Sequence, residues 1–203
     1  MKETALSLKE QLAGSRAGWY RRVRAERHAI IRRHRAPAVV LANAKGDTLD
    51  VGTLLKKVPV IVIFYRGLYC NLELKAFQKI LAETAAAGAS LVAIRPEKPD
   101  DTLSTAEKNA LTFEVPNDVA QRVGRALGRV YDFTDELKSA YRGFGLEIPV
   151  RNGASREWAL PVSATYVIDQ DGETIYAHTD VDYRDRADPS DVLKALIQRA
   201  ATA

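Results

Sequence analysis

Cysteine is nearly absent from this chain: its 203 residues hold one, Cys70. A single thiol cannot close an internal disulfide, and it excludes a cysteine-rich metal centre. Any thiol chemistry must therefore use Cys70 and a partner from elsewhere. Long apolar runs are missing too. None approaches the roughly 18 residues of a membrane span. Residues 1–12 lack the apolar stretch of a signal peptide, so the expected location is the cytoplasm, in soluble form. Histidine is scarce. His28, His34 and His178 show no ligand spacing and read as surface or structural residues. Asp180, Asp182 and Asp185 make a loose acidic cluster without the EF-hand pattern. There is no nucleophile elbow, no phosphate loop and no dinucleotide fingerprint. No internal repeat or low-complexity tract is present.

What is there suits one domain with an appendage, since 46% of the residues are hydrophobic and the chain can bury a core without staples. The net charge of +4 is uneven. Residues 1–36 carry ten Lys/Arg against three Asp/Glu, and the remainder carries 20 against 23. The surplus of positive charge thus belongs to the N-terminal segment. The rest is close to neutral and gives no reason to expect nucleic acid. The domain reading is a basic helical extension over 1–36 and a main domain over 37–203. Leu8, Leu12, Trp19, Val23, Ile30 and Ile31 give the extension a broken apolar stripe, and arginines cover its other faces. Such a long, partly apolar appendage predicts a homodimer that uses it or a sheet edge.

Along the main domain, residues 39–42 and 48–51 flank Lys45-Gly46-Asp47, a hairpin signal. Residues 58–65 form a continuous apolar run, the mark of a strand buried on both faces. Residues 71–87 read as one helix with Leu74, Phe77, Leu81 and Ala85 on its inner side. Residues 90–95 are a second buried strand, and 112–115 a short third. Ser104 with Glu107 resembles a capping box. Val119, Val123 and Leu127 give a helical stripe that ends at Gly128. Residues 134–141 read as helix, while 142–145 and 151–153 read as loop. Residues 162–169 and 173–178 flank Gln170-Asp171-Gly172, a strong hairpin signal. Asp188-Pro189 opens the last helix, whose expected inner face is Val192, Leu193, Leu196 and Ile197. The order is β-α-β-α, an insertion, then β-β-α. Right-handed crossovers make 58–65 and 90–95 parallel neighbours. The fold class is therefore α/β: a central mixed sheet with helices on both faces, the thioredoxin-like arrangement.

Cys70 follows the first buried strand and opens the helix after it. Sites in open α/β sheets gather at the carboxyl ends of strands. A helix N-terminus offers free N–H groups and partial positive charge, and both favour thiolate, the reactive form. Arg66, four residues earlier, adds a second positive influence. The expected thiol pKa is below the unperturbed value of about 8.5. An inert, buried cysteine is the alternative, since free cysteine is among the most buried residue types.

Phe64-Tyr65-Arg66-Gly67 followed by Cys70-Asn71-Leu72-Glu73-Leu74 resembles the signature of the alkyl hydroperoxide reductase/thiol-specific antioxidant family. The branch it resembles is the peroxiredoxin-like one, which reads F-Y-R-G-G-W-C-P-Y-C-N-L-E-L. Further similar segments are Thr105-Ala106-Glu107-Lys108-Asn109, Leu111-Thr112-Phe113, Tyr141-Arg142-Gly143-Phe144-Gly145 and Ala164-Thr165-Tyr166-Val167-Ile168-Asp169. They run in order from about residue 37 to 198. This chain has three fewer residues than the branch between Gly67 and Asn71, and one cysteine where the branch has two. Val162-Ser163-Ala164-Thr165 stands where the branch has V-P-A-T, with a cis-proline beside the cysteine. Ser163 also falls where ordinary peroxiredoxins place a catalytic arginine. A cis bond before a non-proline residue costs about 3–4 kcal/mol, so a trans bond is expected there.

The resemblance implies a thioredoxin fold and reduction of hydroperoxides by a cysteine thiolate. On that basis Cys70 and Arg66 are the candidate catalytic residues, and Tyr69 and Ser163 the candidate substrate-binding ones. No cofactor or metal is implied. The implied partners are a hydroperoxide and an external thiol reductant, either a small thiol or a thioredoxin-like protein. Two other readings remain open at this point: a redox-inactive relative acting as a binding module, and a thiol-disulfide transferase.

Overall fold

In the computed structural model, β1 (Val40–Ala42) and β2 (Thr48–Asp50) pair antiparallel across a turn where Gly46 takes φ 90°, a value its missing Cβ permits. The structure describes residues 39–43, 46–66, 71–98, 109–153, 157–180, 182 and 184–202. The 1–36 extension and the Ser104/Glu107 box lie outside them. Asp50 caps the short helix α1 (Val51–Leu55), its carboxylate accepting from the Gly52 N–H. Strand β3 (Val60–Phe64) follows, then α2 (Asn71–Lys79), α3 (Leu81–Ala86) and β4 (Ser90–Ile94).

The single helix expected over 71–87 is thus two. Ile80 leaves helical geometry (φ −97°, ψ 11°), and the Thr84 hydroxyl donates to its carbonyl. The break turns Thr84 inward and leaves Ala85 exposed, which displaces the inner stripe by one residue. Residues 112–117 run beside β4 but make only isolated bridges, Val92 with Glu114 and Arg95 with Asn117. Pro116 has no N–H to give a ladder, and no strand forms.

A 3-10 turn (Val119–Gln121) leads into α4 (Arg122–Ala126), and Gly128 (φ 64°) ends that segment as the sequence suggests. The expected helix is split because Ala120 and Gln121 are left-handed, with φ 64° and 52°. Next come β5 (Val130–Asp132), α5 (Asp135–Gly143) capped by Thr134, α6 (Ile148–Asn152) and β6 (Ala159–Pro161). Here the reading of 142–145 and 151–153 as loop needs correction. Helix α5 runs on to Gly143, and α6 occupies 148–152 behind a proline at its start, with Gly153 (φ 63°) as its stop. β5 and β6 pair as a separate two-stranded ribbon.

Strands β7 (Ser163–Ile168) and β8 (Thr174–Asp180) form the hairpin foreseen around Asp171-Gly172, and α7 (Pro189–Ala200) closes the chain under an Asp188 cap. The main sheet has the order β4-β3-β7-β8, with β3 parallel to β4 and antiparallel to β7. Its two faces separate the residues of β3 by alternation. Ile61, Ile63 and Tyr65 pack with Leu74 and Phe77 of α2 and with Val192 and Leu196 of α7. Val60, Val62 and Phe64 pack with Leu41, Val51, Val123 and Tyr166 on the other side. Both faces are therefore covered, which is why β3 reads as unbroken apolar sequence. Ile197 does not join the inner face of α7 and stays exposed. Its position is one residue past the stripe that Val192 and Leu196 complete at helical spacing.

Candidate active site at the carboxyl end of strand β3

Strand β3 delivers the chain to Tyr65 and Arg66, and α2 takes it up again at Asn71. Cys70 and Tyr69 lie outside the described residues; Arg66 and Ser163 lie within them. Tyr65 donates its N–H to Ile94 O at 3.1 Å, one step before Arg95 on the neighbouring strand. On the other side, Phe64 pairs with Ala164, which sets Ser163 one step beyond, beside Tyr65. Arg95, Tyr65 and Ser163 thus form a row of buried polar side chains across three strands. By alternation the row lies on the face that α2 covers.

Arg95 is fully buried and ion-paired with Glu97, and its guanidinium stands 6.0 Å from the Tyr65 ring centroid. Glu97 also accepts from Arg151 of α6 at 3.3 Å, and its carbonyl accepts from Asn117 Nδ2 at 2.6 Å. This network pins the segment after β4 to α6. Ser163 is buried, and its hydroxyl has no hydrogen-bond partner. No peptide bond among the described residues is cis, the one before Ser163 included.

A second buried pair sits on α2. Glu73, in the first turn, meets Arg186 at 3.0 Å, and the carboxylate side chain is only 5% exposed. Burial pushes the Glu73 carboxyl up to about 7, while Arg186 pulls in the opposite direction. The pair ties the start of α2 to the segment before α7.

Arg66 turns toward the β5–β6 ribbon. Its Nε donates to Pro161 O at 3.2 Å, and its guanidinium lies 5.2 Å from the Tyr131 ring centroid. Tyr131 stacks on Phe133 at 5.4 Å, and Phe133 meets Tyr141 and Trp158. Arg142 covers Trp158 at 4.8 Å. An aromatic cluster therefore flanks the strand end on the side away from Tyr65.

Among the acidic residues after β8, Asp182 is gripped by Arg184 and Asp185 lies 3.2 Å from His178 Nε2. These carboxylates face the chain's own arginine and histidine side chains. Among the described residues no group of three His, Cys, Asp or Glu could hold a metal. The Glu73–Arg186 pair and the Arg95–Glu97–Arg151 network were missed by sequence reasoning. A signal existed for both: a glutamate directly before an inner leucine of α2, and an arginine closing an apolar strand in Ile94-Arg95-Pro96-Glu97.

Comparison with known proteins agrees with this architecture. The sequence model of the AhpC/TSA family matches residues 33–177. No curated protein matches the chain. Among solved structures, peroxidoxin BcpB from Mycobacterium tuberculosis is similar, with a TM-score of 0.64 at 17% identity, over 82% of this chain and 96% of that one. Peroxiredoxin Q from Xanthomonas campestris follows with a TM-score of 0.60 at 17% identity, over 80% and 91%. The mitochondrial 2-Cys peroxiredoxin of Plasmodium falciparum gives 0.61 at 14% identity, over 82% and 92%. These likenesses are of fold, and they place the β3–α2 junction in a peroxiredoxin-like frame. With the family match spanning that frame and the single cysteine within it, the chain belongs to the AhpC/TSA family, whose activity is that of a thiol peroxidase.

Proposed function

We propose that this chain is a one-cysteine thiol peroxidase in which Cys70 is the attacking residue. The Cys70 thiolate attacks one oxygen of a hydroperoxide. The O–O bond breaks, the sulfur becomes sulfenic acid, and the other oxygen leaves as an alcohol or water after taking a proton. An external thiol then condenses with the sulfenic acid and releases water. A second thiol resolves the mixed disulfide and restores Cys70. The observation that carries this reading is the family match over residues 33–177, which includes the only cysteine of the chain.

Arg66 contributes positive charge at the end of β3, and Tyr69 and Ser163 belong to the substrate side of the site. The buried row of Arg95, Tyr65 and Ser163 supports a polar floor there. The reductant is a small thiol or a thioredoxin-like protein. The basic 1–36 segment acts as a helical extension to the 37–203 domain, and the chain works in the cytoplasm as a homodimer. No helix among the described residues is long and apolar enough to cross a membrane.

The test is consumption of hydrogen peroxide and of an organic hydroperoxide with dithiothreitol as reductant. Turnover by the wild type and its loss in Cys70→Ser are expected. Equal consumption by Cys70→Ser would overturn the assignment. A wild type without turnover would leave the binding-module reading, which the shortened Gly67-to-Asn71 segment favours. Sedimentation of the full chain and of a form lacking residues 1–36 tests the dimer; a monomer in both cases would refute it.

A further inference from the structure

The second fully enclosed arginine lies on the opposite face of the sheet from α2. Arg129 stands between α4 and β5 and is 2% exposed. Its backbone is fixed on both sides: the N–H donates to Gly124 O and the carbonyl accepts from the Val162 N–H, both at 2.7 Å. The guanidinium lies beside the hydroxyl of Tyr166, a residue of the core cluster that contains Val60, Val62 and Phe64. That hydroxyl completes no well-aligned hydrogen bond.

Arg95 has Glu97, but Arg129 has no carboxylate partner among the described residues, and its Nε and Nη2 complete no well-aligned hydrogen bond. The buried carboxylate of the same region, Asp118, is committed to the N–H groups of Val123 and Gly124 at 3.2 and 2.9 Å. Arginine cannot shed its charge on burial as lysine can, so an enclosed guanidinium calls for a counter-charge.

The geometry of the vacant donors says what that charge looks like. Nε and Nη2 share one edge of the guanidinium and present two near-parallel N–H bonds, which match the two oxygens of a carboxylate-like group. We propose that this edge of Arg129, with the Tyr166 hydroxyl as a third donor, binds a small monovalent oxyanion of carboxylate size. One negative charge balances one guanidinium, whereas a divalent anion would bury an excess. A halide would meet the edge at a single point and leave the fork unused.

The neighbouring backbone fits a built site. Ala120 and Gln121 are consecutive non-glycine residues at φ 64° and 52°. Gln121 is held there by its Nε2, which donates to Ala159 O at 2.9 Å. Such strain persists where surrounding structure enforces it, and it concentrates at ligand sites.

The test is thermal unfolding of the full chain, refolded from urea in sodium formate or in sodium chloride at matched ionic strength, so that burial cannot block entry. Formate should raise Tm over chloride, by about 3–6 °C for each tenfold increase in concentration above Kd. Arg129→Lys keeps the charge but loses the fork, and it should abolish the preference for formate. Arg129→Met should melt at one temperature in both salts. Identical Tm values in formate and chloride for the wild type would overturn the proposal, and so would a preference retained by Arg129→Lys. That lysine variant decides the matter if Arg129→Met does not fold.

Discussion

Glu73 and Arg186 meet at 3.0 Å across the gap between the first turn of α2 and the segment leading into α7. Removal of water from around the carboxylate outweighs the attraction of the guanidinium, and the carboxyl titrates near 7 instead of the ordinary 4.5. A raised folded pKa means that the folded state holds a proton the unfolded chain has already lost between those two values. Its contribution to stability is thus complete below about pH 4.5 and is lost as pH rises through 7. Between those limits the wild type should lose roughly 3 kcal/mol relative to Glu73→Gln. Urea unfolding of both proteins at half-unit pH steps measures this. Parallel stability curves would show that Glu73 titrates normally.

The buried Arg95–Glu97 pair predicts an asymmetric response. Glu97→Gln leaves a fully enclosed guanidinium without its charge partner and should cost about 3–5 kcal/mol. Adding Arg95→Met to that variant should restore part of the loss, because the pair is then absent rather than broken. A double-mutant cycle in urea reads the coupling directly. A double variant less stable than Glu97→Gln alone would mean that Arg95 stabilises through its other contacts.

Ser163 carries a buried hydroxyl with no partner. Ser163→Ala removes an unmet donor and should raise stability by up to about 1 kcal/mol. If the hydroxyl serves the substrate, as proposed, the same variant should lower kcat/KM for the peroxide. Stability up with kcat/KM unchanged would leave Ser163 as a packing residue only.

Glycine within a helix ordinarily gains stability on replacement by alanine, but Gly124 should not. A Cβ there would meet Val130 Cγ2 at 2.9 Å, and that methyl sits on a stiff β-branched side chain. Gly124→Ala should destabilise by about 1–3 kcal/mol, the usual cost of overpacking, and its Tm compared with the wild type is the measurement.

Much of this architecture is legible in the residues themselves. The apolar run through Ile61 and Ile63, the Asp171-Gly172 turn and the Asp188-Pro189 cap each report a local constraint, and each appears where it was read. Ile80 shows where reading by period stops. Nothing in its neighbours announces a break, because the break shows only in the backbone angles of Ile80 and in the Thr84 hydroxyl that donates to its carbonyl. The β5–β6 ribbon escaped for a related reason. Three-residue strands have too little length to show alternation, and their pairing depends on the contact between Tyr131 and Leu160 across some 29 residues of sequence. At the site, Arg66 and Ser163 were visible through motif likeness. Arg95, Glu73 and Arg186 were not singled out, since a charge becomes informative only when its burial is known.

Arg66 also fastens the end of β3 to the ribbon, through Pro161 O. Pro161 leads by one residue, Val162, into β7, which is itself the antiparallel neighbour of β3. The bond therefore closes a small loop of connectivity in which strand, ribbon and adjacent strand brace one another. In terms of amide exchange, the end of β3 from which the chain departs toward Cys70 is expected to open with the central sheet. The β1–β2 hairpin is tied to the same core, by Leu41 and by the Asn117 N–H that donates to Ala42 O at 2.9 Å, and its protons are expected to exchange by that same opening.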